Sequence, residues 1–256
     1  EDFAEWWKRC RASGEFTDKR LNLVSVLARI GAVFQAGSAP QFLKNAPGGA
    51  YTGGFTSKQR TAMDYIAQNE AEGRKTLAYA SSPELMALMQ AELDRRGVHS
   101  ILHTGLIPLK RRGAELNEFR FGAASTALAT FGVTQKGHNI PQATDILGLN
   151  RLWSPRQESQ SEFRALRPQQ RNVLRIRYLH LVGSLDLYQA RMCAMKIDSS
   201  RCGLDHGSPE WSAADFTHWV TILDSFCKDI ADLRGIKRHY LRASLCAASG
   251  KNHEQD

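Results

Sequence analysis

Several things are missing from this sequence. No apolar run approaches the roughly 20 residues that a membrane helix needs, and no signal-peptide pattern is present. An intracellular chain without a membrane partner is expected. Cysteine is scarce and never closely paired: Cys10, Cys193, Cys202, Cys227 and Cys246. An odd, scattered set fits reduced thiols better than a disulfide framework. Cys193, Cys202 and His206 are the nearest approach to a zinc set, but they lack a close cysteine pair and a fourth ligand, so no metal site is expected. Acidic residues are outnumbered, 26 against 34 basic ones, for a net charge of +8 and a pI of about 9.4. That balance favours polyanionic partners and says nothing of fold. No Gly-x-x-x-x-Gly-Lys-Ser/Thr loop occurs: Gly250-Lys251 is followed by Asn252 and has no upstream glycine. No Asp-Glu dipeptide occurs either. The two short signatures that grip a nucleoside triphosphate and its magnesium are therefore absent from the sequence. The chain opens on Glu1 rather than Met, which suits a fragment or a processed product.

What is present fits an α/β protein. The 256 residues are enough for a substantial core. Residues 2–12 and 18–36 have helical patterns; in the second, Leu21, Leu23, Val24, Leu27, Ile30 and Val33 fall near one face, with Thr17 or Asp18 as a cap. Ala46 to Gly54 is a glycine-rich connector. From Lys58 the pattern alternates. Helices are expected at 58–68, at 83–93 with Leu85, Met86, Leu88, Met89 and Leu93 inward, and at 108–119, 157–166 and 185–196. Strands are expected at 76–80, 98–102, 126–131, 145–149 and 173–182. Such alternation implies a parallel sheet with helices on both faces, and ligand loops outside the strands' carboxyl ends. By that rule the loops at 80–82, 103–107, 131–139 and 149–156 share one edge. After residue 200 a helix to about Arg234 carries an aromatic stripe, Trp211, Phe216, Trp219 and Phe226 among apolar residues, suited to core or to a protein partner.

The charged chemistry is concentrated. Between Arg151 and Arg177 lie seven arginines and two glutamates, Glu158 and Glu162. Gln160-Ser161-Glu162-Phe163-Arg164-Ala165-Leu166-Arg167-Pro168-Gln169-Gln170 stands inside this stretch. Arginines three residues apart share a helix face, so both planar guanidinium forks reach one polyanion. A solvated basic helix end is the plainer alternative. Upstream come Asn150-Arg151-Leu152-Trp153-Ser154-Pro155, Lys136-Gly137-His138-Asn139-Ile140, His103-Thr104-Gly105, and the strand Thr76 to Ala80.

In this order the motifs resemble the second RecA-like lobe of superfamily-2 helicases, most closely the Snf-type helicase-like DNA translocases that include chromatin-remodelling ATPases. There a "Gly-x-Asn-Leu" motif, a "Trp-Asn-Pro" turn and a "Gln-Ala-x-x-Arg-x-x-Arg-x-Gly-Gln" motif follow one another. The resemblance covers roughly residues 55–196. It implies three regions: a helical segment and connector at 1–54, a RecA-like helicase C-terminal lobe at 55–200, and a helical extension at 201–256. It implies that Arg164 and Arg167 are arginine fingers for ATP and magnesium held by a first RecA-like lobe, in the same or another chain. Gln160 would contact the nucleotide or tune the arginines. Gly137 and Asn139 would couple the ATP and DNA sites, with His138 and Ile140 in the apolar positions around them. Ser81, Ser82 and Thr104 would bond duplex DNA phosphates through their hydroxyls, and Ser82 is also a natural helix cap. Lys110, Arg111 and Arg112 would add sequence-independent phosphate contacts. His103 suits a packing or turn role. The chain departs from the family at Val133-Thr134-Gln135-Lys136, where more glycines are usual, and at Pro168, which would stop the helix after Arg167. Without a first lobe the chain is expected to hydrolyse nothing. Two other readings stay open: a non-enzymatic basic DNA-binding or protein-interaction module, and an unrelated nucleotide-binding enzyme that shares only the layered sheet.

Overall fold

The computed structural model of the chain describes residues 7–9, 12, 23–43, 50–134, 139–152, 154–168, 170–182, 184–190, 193 and 194. Helix α1 (Leu23–Ser38) leads through a short 3-10 turn at Pro40–Phe42 to α2 (Ser57–Ala71). Then follow β1 (Thr76–Ala80), α3 (Pro83–Arg95), β2 (Ser100–His103), α4 (Leu109–Phe121), β3 (Thr126–Thr130), the single turn α5 (Phe131–Thr134), β4 (Asp145–Gly148), α6 (Pro155–Glu162) and β5 (Arg175–Tyr178). Residues 185–190 are helical again.

The five strands form one sheet in the order β2-β3-β1-β4-β5. Every pairing is parallel, for example Leu77 with Ala127 and with Ile146. β1 is buried along its whole length, as a central strand covered on both faces must be. Its side chains alternate. Ala78 and Ala80 face α2 and α3, where Ala62, Met63, Ile66, Leu85, Met86, Met89 and Leu93 pack. Leu77 and Tyr79 face the opposite layer, with Leu116 and Phe119 of α4 and Ala165 beyond α6. The expected parallel sheet with helices on both faces is the observed one.

Local chemistry explains where the elements stop. Thr56 caps α2 in a reciprocal box: its hydroxyl accepts from the Gln59 amide at 3.2 Å, and its own amide donates to Gln59 Oε1 at 2.9 Å. Gln59 is fully buried and also donates to the Ser38 carbonyl, tying α1 to the sheet layer. Gly73 and Gly97 follow α2 and α3 at φ +70° and +81°, a left-handed conformation that glycine adopts without strain and that closes both helix ends.

Three expectations need correction. Leu88 does not turn inward with its neighbours on α3; it is 37% exposed. The last strand spans only Arg175–Tyr178, because it is an edge with its first three residues exposed. The arginine-bearing helix ends at Glu162, with turn and bend geometry from Phe163 to Pro168. The aromatic helix after residue 200 lies outside the described residues. Among the described residues no helix is long and apolar enough to cross a membrane.

Candidate functional site

The early end of α6 changes the geometry of the arginine pair. Arg164 and Arg167 are not on a helix face. They lie in a compact turn whose amides fold back: Arg164 donates to the Ser161 carbonyl at 3.2 Å, and Ala165 and Leu166 donate to that of Glu162 at 3.0 and 3.1 Å. Pro168 keeps the helix from resuming at Arg167, since the residue before a proline is pushed out of helical geometry. Ala165 is buried and anchors the turn, Phe163 and Leu166 are exposed, and Arg164 and Arg167 are half-buried. The Nε of Arg167 is buried and has no hydrogen-bond partner among the described residues. Buried donors are nearly always satisfied, so an unsatisfied one on a half-buried side chain suits a ligand that brings an acceptor.

Asn139 belongs to the same place. The next amide, Ile140, donates to the Arg164 carbonyl at 2.7 Å. Gln170 Nε2 donates to the Ala143 carbonyl at 2.7 Å. Two hydrogen bonds thus stitch the segment 139–143 to the arginine turn. Asn139 is exposed, and its carbonyl accepts from Arg120 at the end of α4. Burial lowers the pKa of Arg120. Lys75, just before β1, donates to the carbonyl of Phe119, so the end of α4 sits at the sheet's amino edge. Asn139 therefore leaves the carboxyl edge on which its loop begins. Gly137 lies outside the described residues. Gln160 is exposed on α6.

The remaining candidates gather at the carboxyl edge. The Ser81 amide donates to Asn150 Oδ1 at 3.2 Å, joining the loops after β1 and β4 where the strand order reverses. Ser81 is exposed. Ser82 is already committed: its Oγ accepts from the Leu85 amide at 3.1 Å and donates to Glu84 Oε2 at 2.9 Å. Its capping role is seen directly. Thr104 is fully buried, with Oγ1 accepting from the Leu106 amide at 3.2 Å, so its hydroxyl shapes the turn and is not presented outward. His103 is buried as well. At the start of α4, Lys110 is exposed, Arg111 lies 3.3 Å from Glu115, and Arg112 Nε donates to the Ile107 carbonyl at 2.7 Å.

One cluster gave no sequence signal. Arg151 grips Glu158 through Nε at 2.8 and 3.0 Å and through Nη2 at 2.6 Å. Glu158, 2% exposed, also accepts from the Leu152 amide at 2.6 Å. The Arg151 guanidinium stacks 4.3 Å from the Tyr178 ring centre, and the Tyr178 hydroxyl donates to Glu162 Oε1 at 2.7 Å. Burial and the charges of Glu158 and Glu162 push the Tyr178 hydroxyl's pKa well up, so it stays a donor. Burial pulls on Arg151, but Glu158 outweighs it and the guanidinium is held charged. These residues come from a loop, a helix and an edge strand, with no periodicity to link them. Among the described residues no group of three His, Cys, Asp or Glu could hold a metal ion. Cys202 and His206 lie outside them.

The fold defines a class: an α/β, RecA-like parallel sheet with helices on both faces. It is similar to the C-terminal part of the Fun30 ATPase domain, with a TM-score of 0.53 and 11% identity over 70% of this chain and 54% of that one. It is also similar to the Sulfolobus solfataricus SWI2/SNF2 ATPase C-terminal domain, with a TM-score of 0.53 and 15% identity over 80% of this chain and 85% of that one. The chain spans about half the length of the Fun30 chain it matches. At these identities the likeness is one of fold. The sequence matches no protein-family model and no curated protein.

Proposed function

We propose that the chain acts as the C-terminal lobe of a Snf-like DNA-dependent ATPase, with residues 55–200 as the working lobe and the rest as helical additions. ATP and its magnesium are gripped by a first RecA-like lobe, in the same or another chain. Arg164 and Arg167 approach the triphosphate from this side. Negative charge shifts among the phosphate oxygens in the transition state, and preorganised guanidinium groups stabilise it. When bound, the metal supplies further charge neutralisation; this chain supplies the two arginines and the turn that aims them. Gln160 borders the same turn, and Asn139 with Gly137 links it to the DNA side. Duplex DNA would lie on the carboxyl edge against Ser81, Lys110 and Arg111, with Ser82, Thr104 and Arg112 shaping that edge from within. A DNA substrate implies an intracellular setting.

The observation that carries this proposal is the bond from the Ile140 amide to the Arg164 carbonyl. Two motifs of the resemblance, 25 positions apart at Asn139 and Arg164, meet at one surface. The unsatisfied Arg167 Nε at that surface fits an anionic ligand. The test is reconstitution with a first lobe that carries a phosphate loop and an Asp-Glu pair. Arg167→Ala is expected to lower turnover about a thousandfold or more. Arg164→Lys and Arg167→Lys are expected to recover little of it, since lysine keeps the charge and loses the fork. Normal turnover in both lysine variants would overturn the proposal and favour the non-enzymatic basic module.

A further inference from the structure

We propose that Tyr178 is a positioning residue that sets where the arginine turn begins. Its catalytic consequence rests on the function proposed for Arg164 and Arg167; its geometry does not.

Glu162 is the last residue of α6, and its carbonyl takes two successive amides of the turn, Ala165 and Leu166. The side chain of the same residue is held at 2.7 Å by the Tyr178 hydroxyl. One residue therefore receives both the turn's backbone and the tether. The tether is itself fixed on several sides. Tyr178 pairs with Gly148 across the sheet, and a Cβ at Gly148 would stand 2.3 Å from Tyr178 Cδ1, so glycine makes the room for the ring. Arg151 stacks over the ring and is locked in turn by Glu158. The Arg151 carbonyl accepts from Gln189 Nε2 at 2.9 Å, and the Leu152 carbonyl accepts from Cys193 Sγ at 3.2 Å. Residues of the C-terminal helical segment thus close the loop that carries Arg151. Tyr178 is where the edge strand, that loop and the end of α6 converge. An aromatic ring with a polar tip can serve as such a tether, because its face is buried by stacking while its hydroxyl fixes a distance.

Hydrogen exchange on the full chain tests this. In Tyr178→Phe, the Ala165 and Leu166 amides are expected to exchange about tenfold faster or more, while β1 and β3 are unchanged. Glu162→Gln keeps an acceptor for Tyr178 and is expected to retain the protection, whereas Glu162→Ala loses it. Unchanged exchange in Tyr178→Phe overturns the proposal. So does acceleration spread equally over β1 and β3, which would mark a general loss of stability. In the two-lobed assembly, Tyr178→Phe is expected to lower kcat about tenfold with KM for ATP nearly constant, because a misplaced group weakens the transition state more than ground-state binding. Unaltered kcat there, with Arg167→Ala inactive, overturns the positioning role. If Arg167→Ala is itself fully active, the proposed function fails, and the exchange result alone decides whether Tyr178 holds the turn.

Discussion

Lys58 Nζ lies 2.6 Å from Asp186 Oδ2, and the two side chains are only 2% and 4% exposed. The pair joins the first turn of α2 to the helical segment that follows β5, 128 positions later. Asp186 also accepts from the Leu181 amide at 2.9 Å, so its carboxylate closes the chain's exit from the sheet. Burial lowers the Lys58 pKa, while the Asp186 charge pulls it back up.

The first prediction follows from that pair. Removing one partner leaves a buried charge uncompensated, at a cost of about 3–5 kcal/mol. Lys58→Met and Asp186→Leu are each expected to lower the urea midpoint strongly. Their combination is expected to recover most of the loss, because a pair of apolar groups carries no desolvation penalty. Additive losses in the double variant would show that each residue acts through other contacts.

The pair also shows what the sequence could and could not disclose. The sheet was legible. Thr76–Ala80 reads as a buried run and is the central strand, and the alternation with Pro83–Arg95 and Leu109–Phe121 gives the parallel topology. The cap at Ser82 reads correctly because it depends on neighbouring residues alone. The arginine turn was legible as a motif and not as a shape. Spacing suggests one helix face, but the tether from Tyr178 and the bond from Ile140 act at longer range and hold a turn instead. Thr104 shows the opposite failure: a hydroxyl in a loop reads as available, and burial removes it. Lys58–Asp186 and Arg151–Tyr178 could not be read, since nothing local marks residues that meet only after folding.

A second prediction concerns pH. His180 follows β5, and its Nε2 is buried without a hydrogen-bond partner among the described residues. Burial lowers its pKa, Lys58 and Arg151 add to that, and Asp186 and Glu158 oppose it. The unfolded chain, with a histidine pKa of about 6.5, therefore binds more protons than the folded one just below that value. The stabilising contribution is fully present above the unfolded pKa and is lost as pH falls through the lower folded one. Wild type is expected to lose more stability than His180→Asn between neutral pH and about pH 5. Equal slopes of urea midpoint against pH for the two proteins would refute the assignment.

A third prediction concerns DNA. Phosphate contacts release counterions, so affinity should fall steeply with salt and show little sequence preference. Lys110 is exposed, whereas Arg111 and Arg112 are engaged by Glu115 and by loop carbonyls. Lys110→Ala is expected to reduce the slope of log affinity against log salt by about 1, and Arg112→Ala to act mainly on stability. Fluorescence anisotropy over a salt series measures both. Binding that ignores salt would point to a protein partner instead.

A fourth prediction is negative. The purified chain alone is expected to show no DNA-stimulated ATP hydrolysis, since the sequence has no Gly-Lys-Ser/Thr loop and no Asp-Glu pair. Turnover that copurifies with the chain and vanishes in Arg167→Ala would contradict it, and would require this sequence to hold the triphosphate by other means.

The last prediction isolates the contact between two neighbouring strands. Gly148 has no need of a left-handed backbone; what it supplies is space, since a methyl there would come 2.3 Å from Tyr178 Cδ1 and 2.5 Å from Cε1. Gly148→Ala must therefore move the ring. Overpacking of this kind typically costs about 1–3 kcal/mol. The displaced ring also loses its stack beneath Arg151 and its reach to Glu162, so the effect should extend beyond stability. In Gly148→Ala the Ala165 and Leu166 amides are expected to lose protection, as in Tyr178→Phe. Adding Tyr178→Ala to Gly148→Ala removes the clash, so the two costs should not add; coupled neighbours depart from additivity by about 0.5–3 kcal/mol. Strict additivity in that double-mutant cycle would mean that the ring had already moved aside, and that Tyr178 does not hold the end of α6.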